Sequence, residues 1–204
     1  MKKINKSTPL AEFSILISGN SRPTNWNEFT REHHDLYLKV RNQLLTEQDN
    51  MSGYTEIPLE AEGNIHIDHF KKKGMFQSLE FSWNNFIVDE KDNTIYGAGF
   101  KDKHVQQADY SKIINPVIEQ PSQFLTYIED GTMIVRQDIT DEAIRNKAEF
   151  TIYIFNLNHP YLKKTRGSII SAIRAYQTGL MEKEDVQNAL ASCGFQSLID
   201  YSFL

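Results

Sequence analysis

Asn64-Ile65-His66-Ile67-Asp68-His69-Phe70 decides how this chain is read: a short β-branched run that carries three ionisable side chains in four successive positions. Alternation in a strand puts His66 and Asp68 on one face, and His69, at the strand's end, is free to turn towards a ligand held by Asp68. A carboxylate binds a hard cation, and a neutral imidazole beside it takes a proton from water. The run therefore suits a metal site with an adjacent general base.

Downstream, Lys71-Lys72-Lys73-Gly74 reads as a charged turn, and Leu79-Glu80-Phe81-Ser82-Trp83 alternates like a half-buried strand. The two strands, with a helix expected after about Gly99, make a ββα unit. Asn85 is expected to orient His69 by a hydrogen bond, and is preferred to Asn84 because it shares a strand face with Trp83. Asp68 is the expected ligand for Mg²⁺ or Mn²⁺, with Asp102 or His104 as the second metal ligand. Lys71, Lys101 and Lys103 are the candidates for phosphate contact, and His66 completes the cluster.

Further out, residues 8–24 hold one apolar run, Phe13-Ser14-Ile15-Leu16-Ile17, expected as a strand or an extended arm. Asn25 with Glu28 predicts an N-cap, and Phe29, Leu36, Val40 and Leu44 predict one long amphipathic helix to about Gln48. Glu129-Asp130-Gly131 between β-rich runs predicts a hairpin. A short helix near 140–147 and a strand over 150–155 should follow, then a helix from Asn158-His159-Pro160 to Gly179 and a last one over 182–192. Lys163, Lys164 and Arg166 are expected on the exposed face of the first of these. Three parts result: an arm over 1–24, a core over 25–160 and a helical docking region over 161–204, whose apolar end at 195–204 is expected to meet the domain or a partner.

Composition narrows the class. At 40% hydrophobic and 24% charged, the 204 residues are ordinary for a globular protein. No apolar run approaches the roughly 20 residues that span a bilayer, and no apolar segment follows the basic start, so a cytoplasmic protein is expected. Cys193 stands alone, which excludes an internal disulfide and a cysteine-based structural zinc. A net charge of -5 argues against whole-surface attraction to nucleic acid. A nucleic-acid-binding protein with this balance needs a local basic patch or a basic partner.

Taken in order, these residues carry a resemblance. The chain resembles the PtuB-type HNH endonucleases of Septu and retron-linked anti-phage defence through Leu44-Leu45-Thr46-Glu47-Gln48, Tyr54-Thr55-Glu56, His66-Ile67-Asp68-His69-Phe70-Lys71 and Trp83-Asn84-Asn85. Tyr96-Gly97-Ala98 with Lys101-Asp102, Ile114-Asn115-Pro116, and Ala148-Glu149-Phe150-Thr151-Ile152 with Leu157-Asn158 continue it to about residue 166. Ser52 and Thr55 stand where many relatives have cysteines. The resemblance implies an α+β fold with an HNH (ββα-metal) nuclease core, a long N-terminal helix and C-terminal helices. It also implies a toxic effector with a divalent metal, held by a PtuA-like ATPase and, in retron-linked systems, by a reverse transcriptase with its RNA-DNA hybrid. Its substrate would be DNA or a structured RNA such as a tRNA. The alternative is a non-catalytic docking or regulatory subunit of an ATPase complex.

Overall fold

Ile65–His69 forms the expected strand (β1), but its antiparallel partner is Phe86–Glu90 (β2), with His66 opposite Asp89, Asp68 opposite Ile87 and His69 opposite Phe86. The stretch 79–83, expected as the second strand, lies instead between two 3-10 turns, Gln77–Leu79 and Trp83–Asn85. Strand propensity decides this locally. The β-branched pair Ile87-Val88 fits a pleated ladder, whereas Phe81 and Trp83 reach an apolar cluster from within a turn. The computed structural model describes residues 1–190 and 193–203, a mixed α+β chain with two separate two-stranded sheets among the described residues.

Three helices cover one face of β1–β2. Ala11–Ser18 (α1) replaces the expected strand or arm, because Leu10, Phe13, Leu16 and Ile17 recur at helical spacing and pack as one stripe. The long helix is two, Trp26–Glu32 (α2) and His34–Glu47 (α3), broken at His33, where neither glycine nor proline announces a break. The Asn25 side chain caps α2 by accepting from Glu28 N at 3.0 Å. Phe29, Val40 and Leu44 are fully buried against Ile65, Ile67, Phe86 and Val88. Past α3, Gln48 works as a surrogate strand: it accepts from Val88 N at 2.7 Å and donates to Val88 O at 2.8 Å, closing the free edge of β2.

The opposite side carries a second cluster. Met1 and Ile4, within the segment expected as an arm, are buried there with Tyr54, Ile87, Ala98, Ile114 and Phe155. Gly97–His104 (α4) is the expected helix. The Asp-Gly hairpin is present as Leu125–Tyr127 (β3) against Met133–Val135 (β4). Residues 150–155 are not a strand. They finish the helix Glu142–Ile154 (α5), capped by the Asp141 side chain on Ile144 N, with Ala148, Thr151 and Ile154 inward at helical spacing. A helix already under way overrides the β-prone composition of its last turns.

Pro160–Gln177 (α6), Lys183–Leu190 (α7) and Gln196–Phe203 (α8) share a third cluster of Leu162, Ile169, Ile173, Val186, Leu190, Phe195 and Leu198. Arg166 is not on an exposed face. It is 1% accessible and donates to Gly131 O and Leu157 O, both at 2.7 Å, stapling α6 to the hairpin. Of the apolar end expected to dock, Phe195 and Leu198 pack inside this cluster, while Leu204 and the last part of the 182–192 helix, at 191–192, lie outside the described residues. A buried carboxylate joins this region to the rest: Glu56 pairs with the Met1 amine and accepts from Ser197 N at 2.8 Å and Ser197 Oγ at 2.6 Å. Its carbonyl accepts from Phe195 N at 2.9 Å. No described helix is long and apolar enough to cross a membrane.

Candidate functional site

The two faces of β1 carry the candidate residues into different surroundings. Tyr54 and Lys101 meet Asp68, and Ala98 meets Asp89, on the face that Asp68 shares with His66 and Asp89, while the apolar cluster of α2 and α3 lies on the face of His69. Asp68 and His69 therefore point apart, and the turn of His69 towards Asp68 does not occur. Alternation along a strand that runs to its last residue imposes this.

Asp68 is 4% exposed. Its Oδ2 accepts from Lys101 Nζ at 2.7 Å and from the Tyr54 hydroxyl. Lys101 is fully buried, and its ammonium also reaches His69 O at 3.0 Å, Phe70 O at 3.3 Å and Asp102 Oδ1 at 3.2 Å. Burial alone would raise the Asp68 carboxyl, but the Lys101 charge and the two hydrogen bonds outweigh it and hold the group below its ordinary range. Burial likewise favours a neutral Lys101, and Asp68 and Asp102 overcome it, raising the ammonium. Burial and the neighbouring Asp68 charge push the Tyr54 hydroxyl well up, so it stays a donor. Lys101 is consequently no phosphate contact: an ammonium sealed from solvent meets no substrate.

α4 is aimed by a second buried carboxylate. Asp89 Oδ2 accepts from Ala98 N at 2.6 Å, at the start of the helix, where an anion is favoured. Gly97 makes this approach possible: its φ is +70° and a Cβ there would stand 2.5 Å from Asp89 Oδ2. Burial raises the Asp89 carboxyl to about 6 against the opposing pull of Ser52, the Ala98 and Glu90 amides and His66. Across the strand pair His66 is half-buried, and among the described residues its Nδ1 has no hydrogen-bond partner.

On the other face, the His69 ring sits edge-on to Trp26 at 4.6 Å and to Phe86 at 5.2 Å between centroids. Its Nε2 is 2.8 Å from Glu80 O. A carbonyl only accepts, so Nε2 carries the proton and the neutral ring keeps its lone pair on Nδ1. Burial lowers the imidazole's pKa, more than the Glu80 bond raises it, and favours the neutral ring. Asn85 is buried, yet it does not orient His69. Its amide accepts from Lys71 N at 2.8 Å and donates to Lys71 O at 3.0 Å and Leu79 O at 3.3 Å, clamping both ends of the 71–79 loop. The orienting part falls to Glu80, whose carboxylate also accepts from Trp26 N at 2.9 Å.

The remaining candidates scatter. Lys71 lies half-buried with Nζ 5.3 Å from the Phe76 ring centroid, and Lys103 is exposed on α4. His104 is exposed and turned back on its own helix, Nδ1 2.8 Å from Phe100 O, away from Asp68 and Asp102. Tyr54, Glu80 and Asp89 are the residues that sequence reading missed as site residues. Tyr54 stands among small and polar residues, Ser52, Gly53 and Thr55, with no local sign of its contact, whereas Gly97, a few residues past the acidic end Asp89-Glu90, was a visible trace of the Asp89 contact.

The expected divalent ion does not fit this arrangement. Asp68 Oδ2 is already shared by an ammonium and a phenol, Asp102 Oδ1 faces the same ammonium, and His104 points elsewhere. No family model matches the chain, and no curated protein matches it.

Proposed function

We propose that the chain is an endonuclease of the HNH (ββα) kind, with β1, β2 and α4 as the ββα unit and His69 as general base. The observation that carries this reading is the Nε2 to Glu80 carbonyl contact, which leaves the basic lone pair of a neutral imidazole on Nδ1 at the end of β1. Two residues later begins the Asn85-clamped loop with Lys71, Lys72 and Lys73. In this reaction water attacks phosphorus, Nδ1 takes its proton, and the P–O ester bond breaks with a proton returning to the leaving oxygen. Lys71 and Lys103 hold phosphate oxygens. Asn85 acts by position, keeping the loop in register with β2.

The resemblance supports the biological part: a toxic anti-phage effector restrained by a PtuA-like ATPase, with a retron reverse transcriptase and its RNA-DNA hybrid in retron-linked systems. The net charge of -5 fits an enzyme that borrows a partner's basic surface. Mg²⁺ or Mn²⁺ belongs to the resemblance alone. A second reading, a non-catalytic docking subunit that keeps the fold, is favoured by one observation, the sealing of Asp68 by Lys101.

The test is cleavage of plasmid DNA, single-stranded DNA and total tRNA, with and without the partner ATPase. His69→Ala is expected to lower the rate about 10²- to 10⁴-fold. Undiminished cutting by that variant sinks the base assignment, and a complex that cuts nothing is the docking subunit.

A further inference from the structure

We infer that Lys101 is the resident cation of this site, so that Asp68 binds no divalent metal ion. The inference concerns the site proposed above, but it stands on cation binding and not on cleavage.

The ammonium sits among four oxygens: Asp68 Oδ2 at 2.7 Å, His69 O at 3.0 Å, Asp102 Oδ1 at 3.2 Å and Phe70 O at 3.3 Å. Two carboxylates and two carbonyls are the donor set of a hard-cation site, yet the spacing is that of N–H···O bonds. Mg²⁺ demands oxygens at about 2.0–2.1 Å and even Ca²⁺ takes them at about 2.3–2.6 Å. For Mg²⁺ each of the four would have to close in by about 0.6 Å or more.

The surroundings prevent both that closure and a departure of the lysine. Tyr54 is fully buried, stacked on Phe155 with ring centroids 4.4 Å apart, and its hydroxyl takes a second place on Asp68 Oδ2. Two of the four oxygens are main chain of the β1 end, held by the Asn85 clamp through Lys71 N and O and by Phe70 N on Asn85 O at 2.8 Å. α4, which carries Lys101, is pinned at its first turn by Asp89 on Ala98 N and by Gly97 N on Phe155 O at 2.9 Å. Lys101 itself has no accessible surface.

Electrostatics points the same way. Two like charges a few ångströms apart repel strongly at protein-like permittivity. A divalent ion could enter only by displacing the ammonium, and that would leave a charged lysine buried without a partner. A tethered cation also needs no binding equilibrium. The charge at Asp68 is therefore the same at any metal concentration, and removing metal leaves the β1 end intact.

The test is a ¹⁵N–¹H spectrum of the full chain titrated with Mn²⁺, read as paramagnetic broadening of the amide signals of residues 68–70 and 101. Wild type is expected to keep these signals at millimolar Mn²⁺ and to melt at one temperature in EDTA or Mg²⁺. Their selective loss in wild type overturns the inference without any variant. Lys101→Ala, which vacates the ammonium's place, is expected to gain the broadening, and Lys101→Ala with Asp68→Asn to lose it again. A folded Lys101→Ala that still binds no Mn²⁺ also overturns it, since the lysine would then not be what excludes metal. A chain that cuts no nucleic acid defeats the nuclease reading and leaves this one standing.

Discussion

Asp68, opposite Ile87, and Asp89, opposite His66, share one face of β1–β2, and they respond to pH in opposite senses. The folded chain raises Asp89 from 3.8 to about 6, so the fold favours its protonated form. That contribution is fully present below the ordinary carboxyl range and is lost as pH rises through about 6, a swing on the order of 3 kcal/mol. Asp68 is lowered, so its contribution is present above the ordinary carboxyl range and is lost as pH falls through its depressed value. Asp89→Asn keeps an acceptor for Ala98 N and removes the ionisation. It is expected to flatten the loss of urea stability between about pH 4 and pH 7 that Asp89 imposes on wild type, and an unchanged pH profile would refute the assignment. At this scale the places of Asp68 and His69 on β1 were legible because strand alternation is local, but the parts expected of Asp68 and Asn85 were not. Nor were their partners. Lys101 lies 33 positions from Asp68 and Tyr54 14 positions from it, and nothing in a run of residues states that a lysine will be sealed.

Elements were legible where one signal dominated. Asp130-Gly131 gave the hairpin, and His159-Pro160 gave the start of α6, whose first turn His159 caps through Tyr161 N. The misreadings share a cause. In 13–17, 79–83 and 150–155 a few β-prone residues were weighed without their neighbours, and burial at helical spacing, or a turn clamped by Asn85, prevailed. Gly131 shows how tightly two elements are then joined. It holds φ +81°, and a Cβ there would overlap Lys163 O and stand 3.0 Å from Arg166 Cβ. Gly131→Ala is expected to cost about 2 to 4 kcal/mol through strain and separation of hairpin from helix. Its signature would be faster hydrogen exchange at 125–135 than in β1 and β2. Uniform exchange across the molecule would show that the hairpin and α6 are not a local joint.

For the whole molecule, three apolar clusters are tied by a few buried polar groups, and Glu56 is the one that spans the greatest distance along the chain. Burial raises its carboxyl, but the Met1 amine and Ser197 prevail and lower it, so it too supports the fold less as pH falls through its depressed value. Glu56→Gln keeps the shape and removes the charge. The expected cost is on the order of 3 kcal/mol, the scale for breaking a buried pair. It is read as a lower urea midpoint in the fluorescence of Trp26 and Trp83, which lie in a different cluster. A fall in far-ultraviolet signal with no change in that fluorescence would mean that the C-terminal helices melt alone.

Glu56 also sets a clock. It lies two residues beyond Tyr54, and its bonds from Ser197 cross 141 positions. A ribosome adding about 5–20 residues per second needs on the order of ten seconds to cover that interval. The loop that brings Tyr54 onto Asp68 is thus synthesised that long before the Ser197 bonds that complete it can form.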